Sequence, residues 1–200
     1  MTLRDRGDGR VRRDSATRRL GPWLALLLSV ATHASEDSLD ATRARWSDVG
    51  DQIARNHAVV HRVTFNAEGR SWPAVGTYGG EQRHWFGFEE EARTLTPHPL
   101  KVEETRTMAA RVYRADYLYS EAGKVLFAWV RDPEKPELRI YWNEDGAYRV
   151  QVGETVQPQL TPALRALADA VRRRGAALAD QARQVRAHAS TWTDFSAHDW

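Results

Sequence analysis

The stretch that decides the fold is residues 112–152, VYRADYLYSEAGKVLFAWVRDPEKPELRIYWNEDGAYRVQV. Short segments rich in aromatic and β-branched side chains alternate with turns that contain Gly or Pro, a pattern typical of antiparallel hairpins. The stretch therefore predicts a meander of antiparallel strands. The predicted strands are Val112–Tyr119, Lys124–Arg131, Glu137–Trp142 and Ala147–Val152.

One hairpin pattern occurs twice within this stretch. Residues 117–123, YLYSEAG, recur 23 residues later as residues 140–146, IYWNEDG. Two copies are too few for a solenoid. The repeat instead supports two hairpins of similar shape within one sheet.

The same hairpins resemble a set of exported bacterial proteins and lipoproteins of unknown function. Residues 116–127, DYLYSEAGKVLF, are similar to their repeated segment Tyr-Tyr-Phe-Asp-x-x-Gly-Lys-Leu-x-Phe. Residues 139–146, RIYWNEDG, are similar to a later segment of the type Arg-x-Tyr-Phe-Asp-x-Gly-Lys. The resemblance covers about residues 40–152 and implies the fold and a location outside the cytoplasm, but no activity.

The region before the hairpins predicts one helix and further strands. A helix over residues 35–58 is indicated by an apolar stripe with helical spacing, and residues 59–65 alternate as a strand does. Gly79-Gly80 predicts a tight hairpin turn between strands at 74–78 and 81–88, because two glycines can both take positive φ. Residues 89–101 are charged or contain Pro and predict a loop. The apolar stripe consists of Leu39, Trp46, Val49 and Ile53.

The region after the hairpins predicts a long helix. Thr161 is a typical N-cap, Pro162 suits the first helical position, and apolar residues at helical spacing continue to about His188. Residues 189–200 predict a loose tail. The fold class is therefore α+β, a single antiparallel meander sheet of about six strands with an N-terminal and a long C-terminal helix on one face.

The first 34 residues predict a signal peptide. A basic region precedes the apolar run Trp23–Ala31, and small residues at signal-peptidase spacing place cleavage after Ala31 or Ala34. The run has about 10 residues, whereas a bilayer span needs roughly 20, so no stable membrane anchor is expected. The domain then covers residues 35–188, in the periplasm or secreted. The true start codon is either that of Met1 or one near Val11.

The charge of the chain argues against a nucleic-acid partner. Seven of the 29 basic residues and three of the 27 acidic residues precede residue 35, which leaves 22 basic and 24 acidic residues. The exported product therefore carries a net charge of about −2, and a phosphate-binding surface loses its main support. The chain has no Cys, which excludes a lipid-carrying Cys, thiol catalysis and Cys-based zinc sites.

The motifs of the chain predict no catalytic residue, metal site or cofactor. His57 and His61 are four residues apart, but on a strand that spacing is about 13 Å, too far for one ion. The acidic runs Glu89–Glu91 and Glu103–Glu104 could supply an acid and a base, although such runs are usually solvated.

The aromatic side chains of the predicted sheet are the candidate ligand-binding residues. They pack in the core, or they form a face that stacks on a sugar, a lipid or a peptide. The candidates are Trp85, Tyr117, Tyr119, Trp129 and Trp142.

Three functional hypotheses follow. The leading one is a non-enzymatic binding or interaction module that meets an unidentified component of the cell envelope. The second is a carrier of a small apolar ligand, which requires a cavity of several hundred Å³ between sheet and helix. The third is a hydrolase, which requires carboxylates or the histidines His61, His84 and His98 to converge in a cleft.

Overall fold

The computed structural model describes residues 23–73, 76–91 and 94–196. By its internal contacts the chain divides after Ala34, and every contact described below lies within the unit Ser35–Trp200. Within the described residues, two helices and nine strands follow one another. In chain order they are α1 (Trp23–Ala54), β1 (Val59–Phe65), β2 (Ser71–Trp72), β3 (Gly76–Glu91), β4 (Thr94–Met108), β5 (Arg111–Tyr119), β6 (Val125–Arg131), β7 (Leu138–Asn143), β8 (Gly146–Val152), β9 (Thr155–Val156) and α2 (Pro162–Ser196).

The strands form one antiparallel sheet in the order β1-β3-β4-β5-β6-β7-β8-β9, with β2 paired to β3. The α+β class and the two helices are confirmed. The predicted number of about six strands is wrong, because the sheet has nine. The added strands are the two-residue β2 and β9 and the whole of β4, whereas the strands predicted at residues 74–78 and 81–88 form one strand, β3.

The hairpins at residues 112–152 are confirmed, and local hydrogen bonds explain their turns. At the β5–β6 turn the Gly123 N–H donates to the carbonyl of Ser120 over 2.8 Å, and Gly123 has a φ of 74°. At the β7–β8 turn the Asn143 side chain accepts from the Asp145 N–H over 3.0 Å. Such turns favour glycine at positive φ and Asn or Asp at the turn entrance.

The predicted turn at Gly79-Gly80 is wrong, because both glycines lie inside the continuous strand β3. A Cβ on Gly80 would lie 2.7 Å from the backbone oxygen of Thr105 on β4. Glycine is therefore required here for the close approach of two backbones, not for a turn.

The predicted loop at residues 89–101 is also wrong. β3 continues to Glu91, and β4 begins at Thr94. Pairing of β4 with β5 begins at Lys101, so among the described strands residues 94–100 pair only with β3. A strand segment with one neighbour tolerates Pro99, since the missing N–H can lie on the unpaired side.

Both helices differ from their predicted ends. α1 ends at Ala54, because Asn56 takes a positive φ of 57°, the left-handed conformation that commonly closes a helix. α2 starts at Pro162 as predicted, and the Thr161 hydroxyl accepts from the Leu164 N–H over 3.3 Å. α2 continues to Ser196, beyond the predicted end at His188. Of the predicted tail, residues 197–200 lie outside the described residues, as do residues 1–22 of the predicted signal peptide.

The two helices cover opposite faces of the sheet, so the expectation that they share one face is wrong. On β5, Tyr117 and Tyr119 pack in the cluster that contains α2 residues, whereas Leu118 packs in the cluster that contains α1 residues. Because the central strands are apolar on both sides, each side needs its own cover. The α2 side includes Ala168, Leu178 and Ala179, and the α1 side includes Leu39, Trp46, Val49 and Ile53.

Candidate functional site

An open groove of about 450 Å³ lies between α1 and the centre of the sheet. Its volume falls in the range typical of small-molecule pockets. α1 supplies one wall, and β5, β6 and β7 supply the other. The lining residues are Thr42, Arg43, Trp46, Asp116, Phe127, Trp129, Arg139 and Tyr141.

Aromatic rings form the floor of the groove. The ring centroids of Trp46 and Phe127 lie 5.3 Å apart in an edge-to-face arrangement, and those of Phe127 and Tyr141 lie 4.8 Å apart. Phe127 and Tyr141 are buried, whereas Trp46 and Trp129 are half-buried. The two indoles therefore provide most of the aromatic surface that a ligand can reach.

A row of three side chains crosses the sheet at the groove. Asp116 on β5 pairs with Trp129 on β6, and Trp129 pairs with Arg139 on β7. Neighbouring strands lie about 4.8 Å apart, so the Cα atoms of Asp116 and Arg139 are about 10 Å apart. An acceptor and a donor thus flank one indole ring.

Lys101 on β4 holds one end of this row. Its ammonium lies 2.9 Å from the Asp116 carboxylate and 2.9 Å from the Glu103 carboxylate. The same nitrogen lies 4.4 Å from the centroid of the Trp46 ring, within the range of a cation–π contact. One cation therefore positions both a carboxylate and an indole of the groove.

The pKa values of Asp116 and Lys101 are both raised above their ordinary values. Burial raises the pKa of Asp116 above its ordinary value, and the Lys101 ammonium offsets this only in part. Burial acts to lower the pKa of Lys101, but the Asp116 and Glu103 carboxylates outweigh it and raise that pKa. Lys101 therefore stays charged at neutral pH.

Glu137 holds the other end of the row. One of its carboxylate oxygens accepts from the indole N–H of Trp129 over 3.1 Å. Its other oxygen lies 2.5 Å from a guanidinium nitrogen of Arg139. Side chains held by such secondary contacts are pre-organised, which reduces the entropy lost when a ligand binds.

The five predicted binding residues do not share one face. Tyr117, Tyr119 and Trp142 are 3%, 0% and 2% exposed and pack beneath α2. Trp85 and Trp129 belong to the α1 side, and Trp129 lines the groove. Trp46 belongs to the predicted apolar stripe of the first helix, whereas no sequence pattern indicated Asp116 or Arg139 as binding residues. Asp116 and Arg139 lie near Trp129 only because of the strand register, and a register shift between Leu118 and Tyr119 changes that register locally.

A second polar cluster is buried between the sheet and α2. The Gln82 amide donates to Glu104 over 2.9 Å, Arg174 of α2 donates to the same carboxylate, and a ring nitrogen of His84 lies 3.3 Å from the Gln82 side-chain oxygen. Burial alone would raise the pKa of Glu104, but hydrogen bonds from Arg174 and Gln82 lower it overall. Burial, together with His61, lowers the pKa of His84.

This cluster does not favour the hydrolase hypothesis. His61 lies directly opposite His84 in the sheet, but His84 is 1% exposed and cannot meet a substrate in this arrangement. His98 lies opposite Gly87, away from both. Within the described part of the chain, no group of three His, Asp or Glu side chains is arranged to hold a metal ion.

Comparison with known proteins adds no relative. No protein-family model, curated protein or solved structure matches the chain. Neither helix, over the residues that the structure describes, combines the length and apolar character required to cross a bilayer.

Proposed function

We propose that the chain is an exported, non-enzymatic binding module of the cell envelope whose ligand occupies the groove between α1 and the sheet. The observation that carries this proposal is the pair of half-buried indoles, Trp46 and Trp129, in an open groove of about 450 Å³. A few placed polar groups in a mostly apolar groove are typical of ligand sites. Lys101 and Glu137 hold those groups in position.

The proposed export follows from the basic and apolar pattern of the N-terminus. Cleavage after Ala31 or Ala34 would release a product that stays in the periplasm or is secreted. The small residues at signal-peptidase spacing that precede these two positions support this proposal. Mass spectrometry of the intact protein from its native host tests it: a product that begins at Thr32 or Ser35 is expected, and one that begins at Met1 contradicts it.

A carrier of a small apolar ligand is the second candidate. The adjoining rings of Trp46, Phe127 and Tyr141 favour it, since they offer a continuous apolar floor. Against it, four of the eight lining residues are polar or charged. A carrier would bind ligands that lack hydrogen-bonding groups, whereas the proposed module would bind only ligands that carry such groups.

Native mass spectrometry of the protein purified from its own envelope tests the binding proposal. We expect a retained small molecule on the natural protein and its loss in Trp129→Ala. Trp72→Ala is the matched control, because Trp72 is 58% exposed on β2 and lies outside the groove. A retained molecule that persists in Trp129→Ala and Trp46→Ala would place binding elsewhere and contradict the proposal.

A further inference from the structure

Resting on the proposed function, we infer that the groove binds a neutral saccharide, with one sugar ring against Trp129 between Asp116 and Arg139. A sugar ring has an apolar C–H face and a rim of hydroxyls that both donate and accept hydrogen bonds. The row across β5, β6 and β7 offers the complementary groups in that order: a carboxylate, an indole and a guanidinium.

The spacing of the row suits a single ring. The Cα atoms of Asp116 and Arg139 are about 10 Å apart across two strand intervals, and both side chains line the groove together with the indole of Trp129. Asp116 uses one carboxylate oxygen for Lys101, which leaves the other to accept from a ligand hydroxyl. Arg139 uses one guanidinium nitrogen for Glu137 and keeps further N–H donors.

The charge of the row favours a neutral ligand. Asp116 is paired with Lys101, which it shares with Glu103, and Arg139 is paired with Glu137, so each charged group of the row already has an opposite charge beside it. An anion at Arg139 would lie near the Glu137 carboxylate, a cation at Asp116 would lie near the Lys101 ammonium, and either ligand would lose its own hydration. A hydroxyl can instead add to each pair without breaking it.

The same contacts argue against a purely apolar ligand. Asp116 is 22% exposed and Arg139 is 40% exposed, and covering them with a hydrocarbon would remove water from both without replacement. Polar groups buried without a partner are costly. The saccharide is favoured because it covers the indole and satisfies the two charged groups together.

Isothermal titration calorimetry with defined probes tests this inference. The saccharide probes are cellotetraose, maltotetraose and the tetramer of N-acetylglucosamine, and the others are laurate and the peptide Leu-Leu-Leu. We expect at least one saccharide to bind with a Kd below about 1 mM. Trp129→Ala should abolish that binding, Asp116→Asn should weaken it about tenfold, and Trp72→Ala should leave it unchanged.

A second measurement does not depend on the folding of any variant. The binding saccharide is compared with its fully O-methylated form, which keeps the ring but loses every hydroxyl donor. We expect binding of the methylated form to fall at least about tenfold, because the Asp116 carboxylate then lacks a donor. Equal binding of the two forms would overturn the inference.

The remaining outcomes separate this inference from the proposed function. One outcome is that laurate or Leu-Leu-Leu binds in a Trp129-dependent manner and no saccharide binds. This result overturns the inference of a saccharide ligand but keeps the groove as a binding site. Failure of every saccharide also overturns the inference. The native mass spectrum then decides the proposed function independently, by the presence or absence of a retained molecule that Trp129→Ala loses.

Discussion

The phenolic hydroxyl of Tyr119 donates a hydrogen bond to the backbone carbonyl of Gly175, with 2.8 Å between the two oxygens. Tyr119 is fully buried on β5, and Gly175 lies in the middle of α2. Burial raises the pKa of Tyr119 above its ordinary value, so the hydroxyl keeps its proton and remains a donor. This contact joins the centre of the sheet to the helix that covers the face opposite the groove.

Removing the hydroxyl should weaken this attachment. Tyr119→Phe leaves a helix carbonyl without its side-chain donor, and we expect the free energy of unfolding to fall by about 1 kcal/mol. Urea unfolding followed by circular dichroism measures the change. Tyr113→Phe is the control, because Tyr113 is only half-buried and makes no hydrogen bond through its side chain among the described residues. Equal effects of the two substitutions would contradict the role of the Tyr119 bond.

Gly175→Ala should destabilise the protein, although alanine normally favours a helix. A Cβ at this position would lie 2.7 Å from a ring carbon of Tyr117 and 2.9 Å from a methyl carbon of Val125. We expect a loss of about 1–3 kcal/mol from overpacking. Gly50→Ala is the matched helical control, because its Cβ would meet nothing within 4 Å, and it should stabilise by up to about 1 kcal/mol. Stabilisation by both substitutions would show that α2 does not approach the sheet so closely.

Gly80→Ala distinguishes the strand position of this glycine from the turn that its sequence suggests. The added Cβ would collide with the Thr105 backbone oxygen at 2.7 Å, so we expect a loss of about 1–3 kcal/mol. Gly79→Ala should change the stability by less than about 0.5 kcal/mol, because the nearest atom, the Phe65 oxygen, lies 3.7 Å away. Thermal unfolding of both variants provides the comparison, and a larger loss at Gly79 would argue for a different register.

The stability of the fold should fall as the pH drops from neutral toward 5. His84 has a lowered pKa in the folded protein because of burial and the nearby His61, so the unfolded chain binds its proton first. Stability is then complete above the ordinary histidine pKa of about 6.5 and is lost below it, with a slope of at most about 1.4 kcal/mol per pH unit.

Replacement of His84 provides the check on that pH dependence. His84→Gln should flatten the dependence between pH 7 and 5, whereas the exposed His57→Gln should not. Below the ordinary pKa of Glu104, 4.5, a further loss is expected, because hydrogen bonds from Arg174 and Gln82 lower the folded pKa of that carboxylate. An unchanged pH dependence in His84→Gln would contradict the assignment to His84.

Local sequence patterns predicted the hairpins well, because their turns depend on neighbouring residues. Ser120 and Gly123 form their own turn hydrogen bond, and the apolar spacing of Leu39 and Val49 identifies the buried side of α1. In contrast, glycines that turn a chain and glycines that admit a neighbouring strand look the same in sequence. Gly80 therefore predicted a turn where β3 continues.

The candidate site was less accessible to sequence analysis, because it depends on which strands are neighbours and in which register. Trp129 was a candidate, but its partners Asp116 and Arg139 lie 13 and 10 residues away along the chain and meet it only through sheet pairing. The opposite placement of α1 and α2 also depends on tertiary packing. Both sides of β6 carry apolar residues, but the sequence does not determine which helix covers which face.

Fluorine NMR of the 5-fluorotryptophan-labelled protein tests the location of binding most directly. The labelled protein is mixed with a soluble extract of its host's envelope, and the signals are assigned with single Trp→Phe variants. Occupation of the groove predicts that the Trp46 and Trp129 signals shift, while the exposed Trp72 and the buried Trp142 keep theirs. Shifts at Trp72 or Trp142 with Trp46 and Trp129 unmoved, or no shift at any of the four, would contradict a ligand site between the first helix and the sheet.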